Sequence, residues 1–229
     1  MLKIYDWFSK NRFWNICLII VYYLLVVLPH EEVGQFLAKN LDEPLGRIRY
    51  NQFVLFLGIL GAIGYLILNG IGIKKYPKRH RIVSLYLFFT FIFIFIAFKF
   101  LMVVNVELIH LVQYGLLTLL LFPLFCNFGN VLFFAIILGA LDEAYQYWVL
   151  TPLSTDYYDF NDVIINLLGA ALGLILLYSN GLQTKQEINH RFQSPTIFAT
   201  VFISLLLICL LYTSPSPRDA TLSRMPSSA

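Results

Sequence analysis

The stretch VLFFAIILGALDEAYQYWVL, residues 131–150, decides how this chain is read. Its first half is uncharged and apolar, and a run of about 20 such residues matches a hydrocarbon core roughly 30 Å thick. Yet Asp142 and Glu143 stand side by side in its second half, with Gln146 close behind. A charged acid in mid-span costs on the order of 3 kcal/mol on insertion scales. If the run crosses a membrane, these acids need partners, and the rest of the chain must supply them.

The composition says that it does cross one. The 229 residues are 59% hydrophobic and 13% charged, with a mean hydropathy of +0.74. A soluble domain is nearer half apolar and a quarter charged. The 21 Phe and 14 Tyr suit lipid and its interfaces. A net charge of +3 is too small to point to nucleic acid. Cys17, Cys126 and Cys209 sit in or beside apolar runs without a CxxC pair, so they read as small hydrophobes rather than ligands or a disulfide set.

The expected fold is all-α, a polytopic transmembrane helix bundle of about seven spans, at 13–29, 53–73, 82–98, 107–122, 130–150, 162–178 and 195–212. Lys10 and Arg12 precede the first, but no small-residue cleavage site follows, only Pro29-His30-Glu31-Glu32, so an uncleaved span is expected. Lys and Arg set the orientation. Lys3, Lys10 and Arg12 flank the first span, KKYPKRHR (74–81) carries five, and Lys185 and Arg191 follow the sixth span. The third loop has only Lys99, the fifth (151–160) has none, and the basic residues of the first (30–52) are offset by acids. The N-terminus is therefore expected to be cytoplasmic, with loops one, three and five outside. Loop one, EEVGQFLAKNLDEPLGRI, suits either an amphipathic surface helix or a solvated loop.

GILGAIG (58–64) and GAALG (169–173) space small residues for close helix approach. Residues 1–212 read as one transmembrane domain. The tail, TSPSPRDATLSRMPSSA (213–229), is Ser/Pro-rich and aperiodic, hence disordered by composition. It resembles translated adaptor sequence, is set aside as non-native, and leaves the true C-terminus expected to be missing.

Polar residues recur in three adjacent spans. In VELIHLVQYGLL (106–117), Glu107, His110 and Tyr114 lie at i, i+3 and i+7, one helical face, and Gln113 can join them. In the opening stretch Asp142 and Gln146 are i, i+4. In DFNDVIINLLG (159–169), Asp159, Asp162 and Asn166 repeat the i, i+3, i+7 spacing. The topology puts all three clusters at one depth, since Asp142 is about 18 Å along the axis from Asn130, in the outer leaflet. Asp142 and Glu143 are therefore expected to share a polar pocket with His110 and Asp162. Tyr145, Tyr147, Trp148, Tyr157 and Tyr158 read as an outer aromatic belt.

On these residues the chain resembles the VanZ-like family of bacterial membrane proteins, named after a teicoplanin-resistance determinant. That pattern is a His opening a span with a Tyr four later, an Asp-Glu-x-x-Gln, then an Asp with an Asn four later and a Gly three after that. Here it reads His110 and Tyr114, Asp142, Glu143 and Gln146, and Asp162, Asn166 and Gly169, within a core of about 100–178. Members often have Asp-Lys before the His, where this chain has Val106 and Glu107. Many carry an Arg between the Gln and the later Asp, and none lies between Gln146 and Asp162, so an anion-holding role of that Arg does not transfer. The resemblance implies a multi-pass protein of the plasma membrane, linked to glycopeptide tolerance or envelope lipids, without specifying a reaction.

Three chemistries suit this set. In an enzyme, His110, Asp142, Glu143 and Asp162 would be catalytic, while Glu107, Gln113, Tyr114, Gln146 and Asn166 would bind or orient the substrate, an envelope lipid or a glycopeptide-related ligand. In a binding protein the same groups would hold a polar head group. As a metal site or proton path, Glu107, His110, Asp142, Glu143 and Asp162 offer donors but match no tight signature, so no metal or other cofactor is assigned. A transporter is disfavoured by the lack of internal repeats. Membrane lipids are the expected surroundings, and nothing in the sequence sets an oligomeric state.

Overall fold

The computed structural model of the chain describes residues 2–102, 105–150 and 158–182. Every element among them is helical: α1 (Leu2–Lys10), α2 (Arg12–Val27), α3 (His30–Leu37), α4 (Glu43–Leu45), α5 (Arg47–Lys75), α6 (His80–Phe100), α7 (Ile109–Phe125), α8 (Phe128–Tyr145) and α9 (Phe160–Ser179). Short π turns cover Ala38–Asp42 and Gln146–Leu150. The breaks follow local chemistry. Gly46 precedes α5 at φ 76, and Pro77 interrupts the path from α5 to α6. Asn127 and Asp159 cap α8 and α9, each accepting a backbone N–H at 2.9 Å.

Four helical stretches are long and apolar enough to cross a membrane: Arg47–Lys75, Pro77–Phe100, Phe128–Leu150 and Phe160–Ser179. A fifth is reached if Arg12–Val27 and Glu32–Leu45, bent by 49°, form one broken span. This falls short of the seven expected. The fourth expected span became α7, of 17 residues or about 25 Å, shorter than the lipid core. It packs on α1, α2, α8 and α9, so its surroundings are mainly protein and its length need not match the bilayer. The seventh expected span and the tail lie outside the described residues. Loop one takes a helical form.

Burial rises from the periphery to the core. In α5 only 6% of the best membrane window is buried, against 44% in α9. The most extensive packing is α7 on α9, followed by α8 on α9. Lipid tails are as apolar as leucine, so helices in a membrane associate by close packing rather than by the hydrophobic effect. Glycine supplies the closeness here. A Cβ on Gly169 would meet the Leu111 carbonyl oxygen at 2.7 Å, and one on Gly173 would meet that of Gly115 at 2.6 Å. The contacts advance together along both helices, so α7 and α9 run parallel, and α8 returns antiparallel beside them. GAALG thus packs as expected. In GILGAIG a Cβ on Gly58 would meet Leu108 Cδ1 at 3.3 Å, while Gly61 and Gly64 have nothing within 4 Å among the described residues, α5 being at the rim.

The basic loop is tied to the core. Arg79 donates from Nη1 to the Tyr178 carbonyl and to that of Leu182 at 2.9 Å, and its guanidinium lies 4.4 Å from the centroid of the Tyr178 ring. A cation on the last carbonyls of a helix satisfies orphan acceptors and complements the negative end of the dipole. At Pro123, which interrupts the α7 ladder, the amide of Asn15 is placed with its nitrogen donating to Leu120 O and its oxygen accepting from Leu124 N, both at 3.2 Å.

Gly173→Ala should cost about 1–3 kcal/mol of stability by overpacking. Gly61→Ala should be neutral or slightly stabilising. Thermal unfolding of both variants in the same detergent checks the contrast.

Candidate functional site

The site forms at one end of the bundle. His110 is the second residue of α7, Asp162 the third of α9, and Asp142 and Glu143 fall in the last turn of α8. Parallel α7 and α9 bring their N-termini together, and antiparallel α8 delivers its C-terminus to the same place. One donor atom each from His110, Asp142 and Glu143 lies within 4.8 Å of the others, and all three residues are buried. Asp142 has no exposed surface at all.

Hydrogen bonds fix each group. His110 Nδ1 meets Asn166 Oδ1 at 3.0 Å. An amide oxygen only accepts, so Nδ1 carries the hydrogen and Nε2 is turned to the acids. Nε2 lies 3.6 Å from Asp162 Oδ2, longer than a hydrogen bond. The Tyr114 hydroxyl donates to Asp142 Oδ2 at 3.1 Å. Gln146 Nε2 donates to Asp142 Oδ1 at 3.1 Å and to Glu143 Oε1 at 3.4 Å. Asp162 Oδ1 and Asn166 Nδ2 are buried with no hydrogen-bond partner at bonding distance among the described residues. Gly139 makes room: a Cβ there would sit 3.3 Å from the Asn166 side chain.

His110, Asp142, Glu143, Asp162, Tyr114, Gln146 and Asn166 are thus in one constellation. Two further expected members lie on the 3-10 turn before α7 and on α7 itself. Glu107 is half-buried on the 3-10 turn Asn105–Leu108, a turn before His110, and does not join the His110–Asp142–Glu143 group. Gln113 is half-buried, and its backbone carbonyl accepts from Tyr22 at 2.8 Å on the α2 side. Glu107 precedes α7, which starts only at Ile109, so the helical face assumed from residue 107 onward does not hold for its first member. Of the expected belt, Trp148 is exposed, whereas Tyr158 donates inward to Ala140 O at 2.6 Å. Tyr157 lies outside the described residues.

His30 is a further member that the sequence reading passed over. Its ring centroid is 5.6 Å from that of His110. The available signal was its position, a histidine directly after an apolar run at the end assigned to the same face as His110. Tyr23, donating to Leu138 O at 2.8 Å, ties α2 to α8 one turn from Asp142.

No protein-family model, curated protein or solved structure matches the chain. The chemistry of the site therefore carries the functional argument. An imidazole beside three carboxyls can take up and release protons, and the same donors can ligate a cation.

Tyr114→Phe removes a hydrogen bond to a fully buried carboxylate, and should lower stability by about 1–3 kcal/mol while the chain still reaches the membrane. Chemical denaturation of purified protein against wild type measures the loss.

Proposed function

We propose that this chain is a multi-pass protein of the bacterial plasma membrane, with its N-terminus cytoplasmic, that performs acid–base chemistry on an envelope lipid-linked substrate from the outer face. The observation that supports this best is the buried constellation itself. An imidazole nitrogen faces carboxyls at 3.6 Å and within 4.8 Å, with His110, Asp142 and Glu143 oriented by an asparagine, a tyrosine and a glutamine. Roles follow from the bonding. Asp142 has both oxygens engaged and positions its neighbours. Glu143, held by the longer contact to Gln146, is the base, and His110 with Asp162 is the acid or charge partner.

The likeness to the VanZ-like pattern is the reason to look to envelope lipids and glycopeptides. A shallow apolar groove of about 410 Å³, lined by Val21, Leu24, Leu25, Leu28, Pro29 and Glu32, flanks His30 and offers a bed for an acyl or isoprenoid chain beside the site. The basic-residue pattern of the loops supports the orientation.

The test is a charge-neutralising series, His110→Gln, Asp142→Asn, Glu143→Gln and Asp162→Asn, scored by teicoplanin susceptibility of a bacterial host at matched membrane expression. Glu143→Gln should abolish protection, in keeping with a rate loss of about 100-fold or more on removing a general base. Graded weakening across the series would identify a binding protein instead. Full protection by the Glu143 variant would overturn the catalytic role.

A further inference from the structure

We propose that His110, Asp142, Glu143 and Asp162 form a binding site for one divalent first-row d-block cation, Zn²⁺ or Mn²⁺. Mixed imidazole and carboxylate donors suit these ions, while purely oxygen sets suit Mg²⁺ or Ca²⁺. Ligands about 2.1 Å from one ion lie at most about 4.2 Å apart. Donor atoms of His110, Asp142 and Glu143 already fall within 4.8 Å of one another, so side-chain adjustments of about half an ångström bring these three onto one ion, with Asp162 Oδ2, 3.6 Å from His110 Nε2, as the neighbouring fourth donor.

Three further features point to a cation rather than to a self-sufficient polar cluster. The first is the histidine tautomer. Asn166 holds Nδ1–H, which leaves the Nε2 lone pair directed at Asp162 Oδ2 across 3.6 Å, a gap too long for a shared proton. Metal-bound histidines are held in this way, with the second ring nitrogen bonded to a fixed acceptor. The second is unused capacity: Asp162 Oδ1, a carboxylate acceptor able to ligate a cation, is buried without a hydrogen-bond partner among the described residues. The third is charge. Among the described residues no Lys or Arg forms an ion pair with Asp142, Glu143 or Asp162. Carboxylates gathered out of water need compensation, and a bound cation is commonly the largest local charge in such a site.

The outer partners are already in place. Tyr114 and Gln146 hold Asp142, Gln146 also reaches Glu143, and Asn166 holds His110. The consequence for substrate rests on the function proposed above. An acidic pocket repels a phosphate-bearing lipid head group, and a divalent ion inverts that preference by bridging carboxylates to phosphate oxygens. The ion site itself does not depend on that function.

The experiment uses full-length protein in detergent, with any purification tag removed, stripped with EDTA and then incubated separately with Zn²⁺, Mn²⁺ and Mg²⁺ before desalting. Elemental analysis should find about one equivalent of Zn²⁺ or Mn²⁺ per chain, with a raised unfolding midpoint, and little Mg²⁺. Asn166→Ala should weaken binding about 10- to 100-fold. Glu143→Gln and Asp162→Asn should lose retention, while Asp6→Asn, at an exposed surface pair far along the sequence, retains it in full. Asp162 is the less buried acid, so its variant remains informative should the Glu143 variant fail to fold. Wild type that retains neither ion and shows no midpoint shift overturns the site, as does equal retention by both acid variants. A metal-free protein that still protects cells sinks the ion alone, whereas a loaded protein without protective effect sinks the functional reading and leaves the ion.

Discussion

The contact on which the rest depends is the backbone-to-backbone approach of α7 and α9. Gly169 sits under the His110 and Leu111 carbonyls, and Gly173 under that of Gly115 with Thr118 beside it. A methyl group at either position would lie inside van der Waals contact of backbone, which cannot give way as a side-chain tip can. This contact fixes more than distance. Because Gly169 is seated against the first turn of α7, the residues three and seven earlier on α9, Asn166 and Asp162, are brought level with His110. The register of the polar site is thus a consequence of packing one turn deeper.

The parallel course of α7 and α9 has an electrostatic consequence. Each helix N-terminus carries a partial positive charge from unsatisfied N–H groups. His110 and Asp162 lie in the first turns of their helices, so two positive ends converge on a site that holds three carboxyls. Only α8 opposes this, presenting its C-terminal end with Asp142 and Glu143 on it. Two favourable dipoles against one unfavourable one make the end of this bundle a tolerable place for acids. It does not neutralise them, which is why Tyr114, Gln146 and Asn166 are recruited as donors and orienters.

Much of this was legible in the chain. Helical spacing put His110 with Tyr114, Asp142 with Gln146 and Asp162 with Asn166, and loop charges put the three sets at one depth. GAALG announced a close crossing. What escaped the sequence has physical reasons. Hydropathy measures affinity for an apolar medium and does not distinguish lipid from protein, so the run 107–122 gave no sign that α7 packs among α1, α2, α8 and α9. Small-residue spacing likewise does not name its partner: among the described residues Gly58 of GILGAIG meets Leu108, while Gly61 and Gly64 have no neighbour within 4 Å. Glu107 was assigned to a helical face that begins only after it. His30 was missed because its proximity to His110 depends on how α2 packs on α7, a long-range relation with no local pattern.

The peripheral helices show where function is concentrated. Along α6 the buried residues are Val83, Thr90 and Ala97, a seven-residue repeat that defines one narrow stripe. In α5 they are Tyr50, Asn69 and Gly72, mostly at its ends. These helices fasten to α9 by discrete bonds: Tyr65 to Leu172 O at 2.9 Å, Arg79 to the last carbonyls, and Gly72 against Ser179 O. All of these anchors lie in the half of α9 away from Asp162. The pair therefore braces α9 at its far end, while α2, α7 and α8 shape the near end. A scaffold divided in this way can hold acids, histidine and orienting amides at fixed separations, because α9 is braced at its far end as well as by the glycine contact beside the site.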